Sequence, residues 1–242
     1  MDSYNEAARA RYDFVLDLIR SDFAPPARVV ELGAAPGEQS LGLARAGYTV
    51  TAVDIGIASD AWEGAESGTM AREFAENAIE LVLWNLDEQP YPLPDDSFEV
   101  VVMTEVLEHL REYPARSLDE ARRILVPGGR IYLTTPNAAY IRNRLKLVLG
   151  RSVMTPLHDW IGGLPHARHA REYTVAEIRE LLVHAGLEPR LLTSRHFHIR
   201  SGRTSRPAIA GKRSLDLLAQ ARPTLGPSVI AVAERPTAER RQ

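Results

Sequence analysis

The 242-residue chain reads as a doubly wound α/β fold, a mostly parallel sheet with helices on both faces. Three observations predict it. Short apolar runs alternate with stretches of helical period, glycine and proline mark the joints, and a small-residue turn links the first apolar run directly to a helix.

In chain order, residues 3–20 place Tyr4, Ala8, Tyr12, Val15, Leu16 and Ile19 close to helical spacing, and Pro25-Pro26 ends that amphipathic helix. Strands are expected over Arg28–Leu32, Thr49–Asp54, Ile79–Trp84, Phe98–Thr104 and Arg130–Thr135, with helices over Glu38–Ala46 and Ser117–Leu125. Turn signals fall at Gly47, at Pro92 through Asp96 and at Pro127-Gly128-Gly129. Beyond Pro136 a basic helix is expected over Tyr140–Leu149, followed by an irregular segment, 150–171, rich in Gly, Pro and His. Thr174 with Glu177 three residues on signals a capping box for a helix to Ala185, stopped by Gly186. Val229–Ala233 reads as a last strand, residues 200–227 carry no clear pattern, and the tail from Glu234 is expected to fray.

Composition narrows the function class. The net charge of -3 disfavours a protein that binds by neutralising phosphates. Nucleic acid stays open only through a late basic stretch, Arg195, Arg200, Arg203, Arg206, Lys212 and Arg213, whose plain reading is a solvated surface. The absence of cysteine excludes disulfides, thiolate metal sites and thiol nucleophiles. No run of about 18 apolar residues occurs and the first twenty residues lack a signal-peptide core, so a cytoplasmic protein without a membrane span is expected.

The strongest local signal is Val29-Val30-Glu31-Leu32-Gly33-Ala34-Ala35-Pro36-Gly37-Glu38, a buried strand entering a tight turn and a helix. Gly33 and Gly37 let the backbone turn sharply and a ligand approach. A dinucleotide fingerprint would want glycines at 33, 35 and 38, where the chain has Gly33, Ala35 and Glu38. An acid at the helix start repels a pyrophosphate, whereas a cationic sulfonium tolerates it. Asp54, 21 residues after Gly33, ends the second strand, where a carboxylate can accept both ribose hydroxyls.

Residues 29–54 resemble motif I and the acidic strand end of the class I S-adenosylmethionine-dependent methyltransferases. The resemblance continues through Asn85-Leu86-Asp87 and Pro92–Val101 and covers about residues 28–136. It implies a seven-stranded Rossmann-like sheet, with Glu31, Gly33, Ala35 and Gly37 near the methionine moiety, Asp54 at the ribose, Asn85 and Leu86 at the adenine edge, and Thr104 in the same crevice. Ala35 and Asn85 depart from the glycine and aspartate of many members. The whole chain then forms one methyltransferase domain: a helical cap (1–27), a cofactor-binding core (28–136), an insertion or lid (137–173), and a C-terminal helix with the last strands (174–242).

Glu105-Val106-Leu107-Glu108-His109 follows the fourth strand. If helical, its two carboxylates and imidazole share one face, able to ligate Mg, Mn, Co or Zn, or else to serve as polar lining or a helix-packing pair. Two metal-assisted branches, the ubiquinone-biosynthesis O-methyltransferases and the small-RNA 3′-end 2′-O-methyltransferases, have a similar Glu-x-x-Glu-His segment. The latter also has a later histidine after a Thr-Pro-Asn strand end, which Thr135-Pro136-Asn137 and His166/His169 resemble. The expected metal ligands are Glu105, Glu108, His109 and His169, and the expected bases His166, His169 and His109. His184 is expected to be structural. The expected reaction is methyl transfer to an oxygen of a small-molecule, glycan or lipid-linked acceptor. N-methylation, RNA 3′-end methylation, a non-catalytic S-adenosylmethionine-binding regulator and a homodimer remain alternatives.

Overall fold

The computed structural model describes residues 2–55, 67–111, 114–154, 157, 161, 169–197 and 222–237. Within them lie helices α1 (Asp2–Asp22), α2 (Glu38–Arg45), α3 (Ser67–Glu76), α4 (Pro114–Ile124), α5 (Ile141–Val148) and α6 (Val175–His184). The strands are β1 (Arg28–Leu32), β2 (Thr49–Asp54), β3 (Glu80–Leu83), β4 (Phe98–Thr104), β5 (Leu125–Pro136), β6 (Glu188–Arg195) and β7 (Ser228–Glu234). They form one seven-stranded sheet in the order β3-β2-β1-β4-β5-β7-β6. β1 to β5 pair in parallel, and β7 runs antiparallel between β5 and β6.

The central strands are apolar at consecutive positions because both faces are covered. Val29, Val50, Ala52, Val100 and Val102 pack with Val15 and Ile19 of α1, Leu43 of α2 and Phe74 of α3. The alternating residues Val30, Leu32, Val53, Val101 and Met103 face Leu118 and Ile124 of α4 and Ile178 and Leu182 of α6. Strand order reverses between β1 and β4, so loops leaving their carboxyl ends diverge and open a crevice there.

The predicted strands β1, β2, β4 and β7 and the helices α1, α2, α5 and α6 lie within a residue or two of their expected limits. Thr174 caps α6 as its spacing predicts: its hydroxyl accepts from Glu177 N (3.2 Å) while Glu177 Oε2 accepts from Thr174 N (2.8 Å). Two elements went unforeseen, α3 and β6. β6 is an edge strand paired with β7 alone, so its residues are mostly half-buried and the sequence EPRLLTSR shows no clean alternation. Pro127-Gly128-Gly129 is not a free turn, because β5 already begins at Leu125. Leu125 pairs with Phe98 and Arg130 with Val100, and the surplus residues between them bulge where Gly128 takes φ 84°.

Candidate functional site

The turn after β1 is made largely of backbone. Gly33 N and Ala34 N both donate to Val53 O (2.8 and 3.1 Å), tying the turn to β2, and Gly33 and Gly37 adopt φ 81° and 96°. A side chain at Gly33 would sit 3.3 Å from Val106 Cγ1 and closer still to Cγ2, so the turn and the segment after β4 touch at this glycine. Asp54, at the end of β2, accepts from Ala35 N (2.9 Å) and holds the second half of the turn.

Glu31 is buried, and its carboxylate accepts from the Ser40 hydroxyl of α2. Burial pushes its pKa up from 4.5 to about 8; the Ser40 bond opposes that and the nearby Asp54 charge adds to it. Neither end of the buried Gln39 amide has a hydrogen-bond partner, and neither does Thr104 Oγ1 at the end of β4. Unpaired buried polar atoms flanking a glycine turn suit a ligand that would satisfy them. Past β3, Asn85 Oδ1 accepts from Asp87 N (3.1 Å), and Leu86, buried, accepts at its carbonyl from Tyr91 Oη (3.2 Å). Separately, a cavity of about 370 Å³ lies between α1 and α2, lined by Tyr12, Leu16, Glu38, Gln39 and Arg45. Neither Gly33, Asp54 nor Glu108 reaches it.

The segment after β4 is built from side chains, and it corrects the expectation of one helical face. Glu105 has φ 55° and only Leu107–His109 forms a 3-10 turn. Glu105 is engaged elsewhere: its Oε1 accepts from Thr134 Oγ1 (3.0 Å), and Arg11 Nη1 lies 3.8 Å from Oε2. Glu108, only 1% exposed, accepts from Thr135 Oγ1 (2.9 Å). Burial, and then the Glu105 charge, hold its carboxyl well above the usual range, against the weaker pull of its hydrogen bonds and of Arg11.

Glu108 instead converges with His109 and His169, whose ligand-type atoms all lie within 4.8 Å of one another. The two imidazoles meet edge to face at 5.0 Å. His169 Nδ1 lies 3.1 Å from Glu172 Oε1, leaving its Nε2 for the cluster, while Ala170 N donates to Glu108 O (2.7 Å) and pins the histidine's segment to the 3-10 turn. Such a group can hold a divalent cation or take up a proton. Of the expected bases, His109 and His169 come together; His166 lies outside the described residues, and His184 is exposed on α6.

Sequence reasoning missed Arg11, Thr134 and Glu172, and read Thr135 only as part of a strand end, not as the partner of Glu108. Arg11 left a trace: with Ala8, Val15 and Ile19 it lies on the buried stripe of α1, a cation where the period calls for an apolar residue. The other three are ordinary strand or loop residues whose roles depend on partners 27 to 29 positions away or on a local turn.

Residues 4–192 match a family described as a methyltransferase domain. The chain is 34% identical over 166 residues to a ubiquinone biosynthesis O-methyltransferase of Xylella fastidiosa, covering 66% of this chain and 61% of that relative's length. It is 32% identical over 125 residues to a demethylmenaquinone methyltransferase of Clavibacter sepedonicus, covering 50% of this chain and 47% of the relative. The crystal structure of an S-adenosylmethionine-dependent methyltransferase from Mesorhizobium loti superposes with a TM-score of 0.61 at 21% identity, covering 90% of this chain and 96% of that one, and it shares the fold. The chain therefore belongs to the class I S-adenosylmethionine-dependent methyltransferases.

Proposed function

We propose that the protein transfers the methyl group of S-adenosylmethionine to a hydroxyl oxygen of a small or lipid-linked acceptor. The convergence of Glu108, His109 and His169, close after the residue Val106 that meets the turn after β1, carries this reading. Amines attack a sulfonium unaided once deprotonated, whereas a weakly acidic hydroxyl needs a base or a Lewis acid, and this cluster offers both ligand types. The O-methyltransferase name of the Xylella relative favours the same class of acceptor.

On this reading Glu31, Gly33, Ala35 and Gly37 enclose the methionine moiety, Asp54 takes the ribose, Asn85 and Leu86 border the adenine, and Thr104 Oγ1 gains the partner it lacks. The residues fit a divalent ion: one desolvated carboxylate and two imidazoles supply oxygen and nitrogen donors suited to Mg, Mn, Co or Zn. When bound, such an ion would lower the acceptor hydroxyl's pKa and orient its oxygen. The chain's own contribution is positional. The Thr135 hydroxyl aims Glu108, Glu172 fixes which nitrogen of His169 faces the cluster, and the turn holds the sulfonium in line with the oxygen, an alignment able to supply roughly 7–11 kcal/mol.

The test is S-adenosylhomocysteine formation on a panel of quinols, catechols and sugars, before and after chelation. Activity should fall at least about a hundredfold with chelator and return with Mg, Mn or Co, and Glu108→Gln should match the chelated enzyme while retaining S-adenosylhomocysteine affinity. Full turnover in the chelated enzyme would leave His109 or His169 acting as base without a metal.

A further inference from the structure

We propose that the cavity between α1 and α2 is a second small-molecule site, one that takes a neutral planar ligand presenting an amide edge, an N–H beside a C=O. Two helix faces make it. Arg9, Tyr12, Asp13 and Leu16 follow one another at helical spacing along α1, and Glu38, Gly42 and Arg45 do so along α2. Between facing helices such stripes ordinarily interdigitate. Here Gly42 leaves a gap: a Cβ on it would meet nothing within 4 Å among the described residues, although alanine is the better helix former at an interior position. The space so left, about 370 Å³, lies at the small end of ligand pockets, roughly 300–1,000 Å³, and suits a molecule of one or two rings.

The floor decides what is bound. Gln39 is only 4% exposed, and among the described residues neither its Oε1 nor its Nε2 has a hydrogen-bond partner. A carboxamide left in that state costs the desolvation of both atoms, which a ligand entering the cavity can offset. Its carbonyl and amino groups lie side by side, so the group that satisfies both at once is another amide edge, from a carboxamide or a lactam ring. Leu41 and Leu43, also buried, and Tyr12 supply apolar surface for a flat ring. Charge rules out an anion. The rim carries Arg9 and Arg45 against Asp13, Glu38 and Glu73, and Arg9 is already engaged, its Nη2 3.6 Å from Glu38 Oε1. A negative ligand would meet an excess of carboxylate, to which a neutral one is indifferent.

Position ties the cavity to the turn after β1 without merging the two. None of Gly33, Asp54 and Glu108 lines it, yet Gln39 is flanked by Glu38, the residue after Gly37, and by Ser40, whose hydroxyl donates to Glu31. A ligand drawn onto Gln39 therefore bears on the same helical turn that fixes Glu31, and its binding alters the affinity for S-adenosylmethionine. That regulation rests on the proposed function, which sets Glu31 and Gly37 against the cofactor; occupation of the cavity does not.

The test is nuclear magnetic resonance of the full chain, following the Gln39 side-chain amide, which Gln39→Leu identifies by removing it. Nicotinamide and uracil, each with a neutral amide edge, are titrated with S-adenosylhomocysteine absent and then saturating, beside benzoate and toluene as ring controls. Both amides should shift the Gln39 signal saturably, and the controls should bind about tenfold more weakly or worse, two neutral hydrogen bonds being lost. Gly42→Leu, which fills the gap, should lower nicotinamide affinity at least about tenfold. Gln39→Leu, followed through the α2 backbone signals, should do the same while raising the melting temperature of the free protein. Nicotinamide affinity should differ with and without S-adenosylhomocysteine, and S-adenosylhomocysteine affinity should change by the same factor. The proposal is overturned if neither amide moves the Gln39 signal, if the controls bind equally, or if either variant, folded by its amide spectrum, binds nicotinamide as the wild type does. Equal nicotinamide affinity in the two states overturns the regulation. Nicotinamide binding by a chain with no affinity for S-adenosylhomocysteine supports the cavity site and counts against the cofactor reading alone.

Discussion

The turn after β1 and the segment after β4 lie against each other at the carboxyl edge of the sheet, and they are made by opposite means. The turn is almost self-contained: two backbone donors to Val53, two glycines at positive φ and one carboxylate from the adjacent strand. The β4 segment depends on distant partners, with Arg11 from α1, Thr134 and Thr135 from β5 and His169 from the stretch before α6. A region held by its own backbone can persist while its neighbour's chemistry changes; one assembled from four elements changes if any of them moves.

The sharpest way to break this contrast is at the glycine where the two regions touch. Gly33→Ala faces both a positive φ and the Val106 methyls, and should cost about 2–4 kcal/mol in chemical denaturation and abolish S-adenosylhomocysteine binding. Adding Val106→Ala should recover part of that loss, the remainder being backbone strain. Next in size, Asp54→Ala should weaken S-adenosylmethionine by about 1.5–3 kcal/mol in calorimetry, through loss of a charge-assisted bond. Asp54→Asn, still able to accept from Ala35 N, should lose less; equal affinities for wild type and alanine variant would remove Asp54 from the cofactor's contacts.

Glu31 sharpens the comparison through pH. Because its native pKa stands near 8 against 4.5 for a free carboxyl, the native state holds more protons than the unfolded chain between those values. Stability contributed by the neutral form is therefore complete below the lower value and lost as pH rises through the upper one. Melting temperature of the free protein should fall from pH 6 to 8.5, and Glu31→Gln should flatten part of that slope, Glu108 supplying the rest. A slope identical in Glu31→Gln would assign it to Glu108. The smallest effect is expected at Thr174→Ala, about 1 kcal/mol from the lost α6 cap, with turnover more affected than cofactor affinity because His169 lies just upstream.

The same contrast explains what could be read from the residues alone. Gly33, Gly37 and Asp54 owe their roles to local backbone requirements and fixed spacing, so the linear order displays them. Glu108 and His109 were visible as a ligand-rich pair, but their geometry was not. The helical face drawn through Glu105 assumed regular φ and ψ, and Glu105 sits instead in the left-handed region with its carboxylate on Thr134. No periodicity encodes a pairing across 27 positions such as Thr135 with Glu108. β6 was hidden for a related reason, since an edge strand half-buried on both faces needs no alternation.

The position of β7 has a consequence for synthesis. It is the last of the described strands in chain order, yet it lies inside the sheet, pairing β5 on one side and β6 on the other. The stretch just before it also receives the β5 end, where Asn137 N donates to Pro227 O and its amide to Gly226 O. While a ribosome is still translating the preceding residues, β5 and β6 each expose an open hydrogen-bonding edge beside apolar side chains, a state prone to pairing between nascent chains. Arrival of Ser228–Glu234 covers one edge of each at once and secures the strand that carries Thr134 and Thr135, so the two threonines that hold Glu105 and Glu108 are fixed only when this strand is in place.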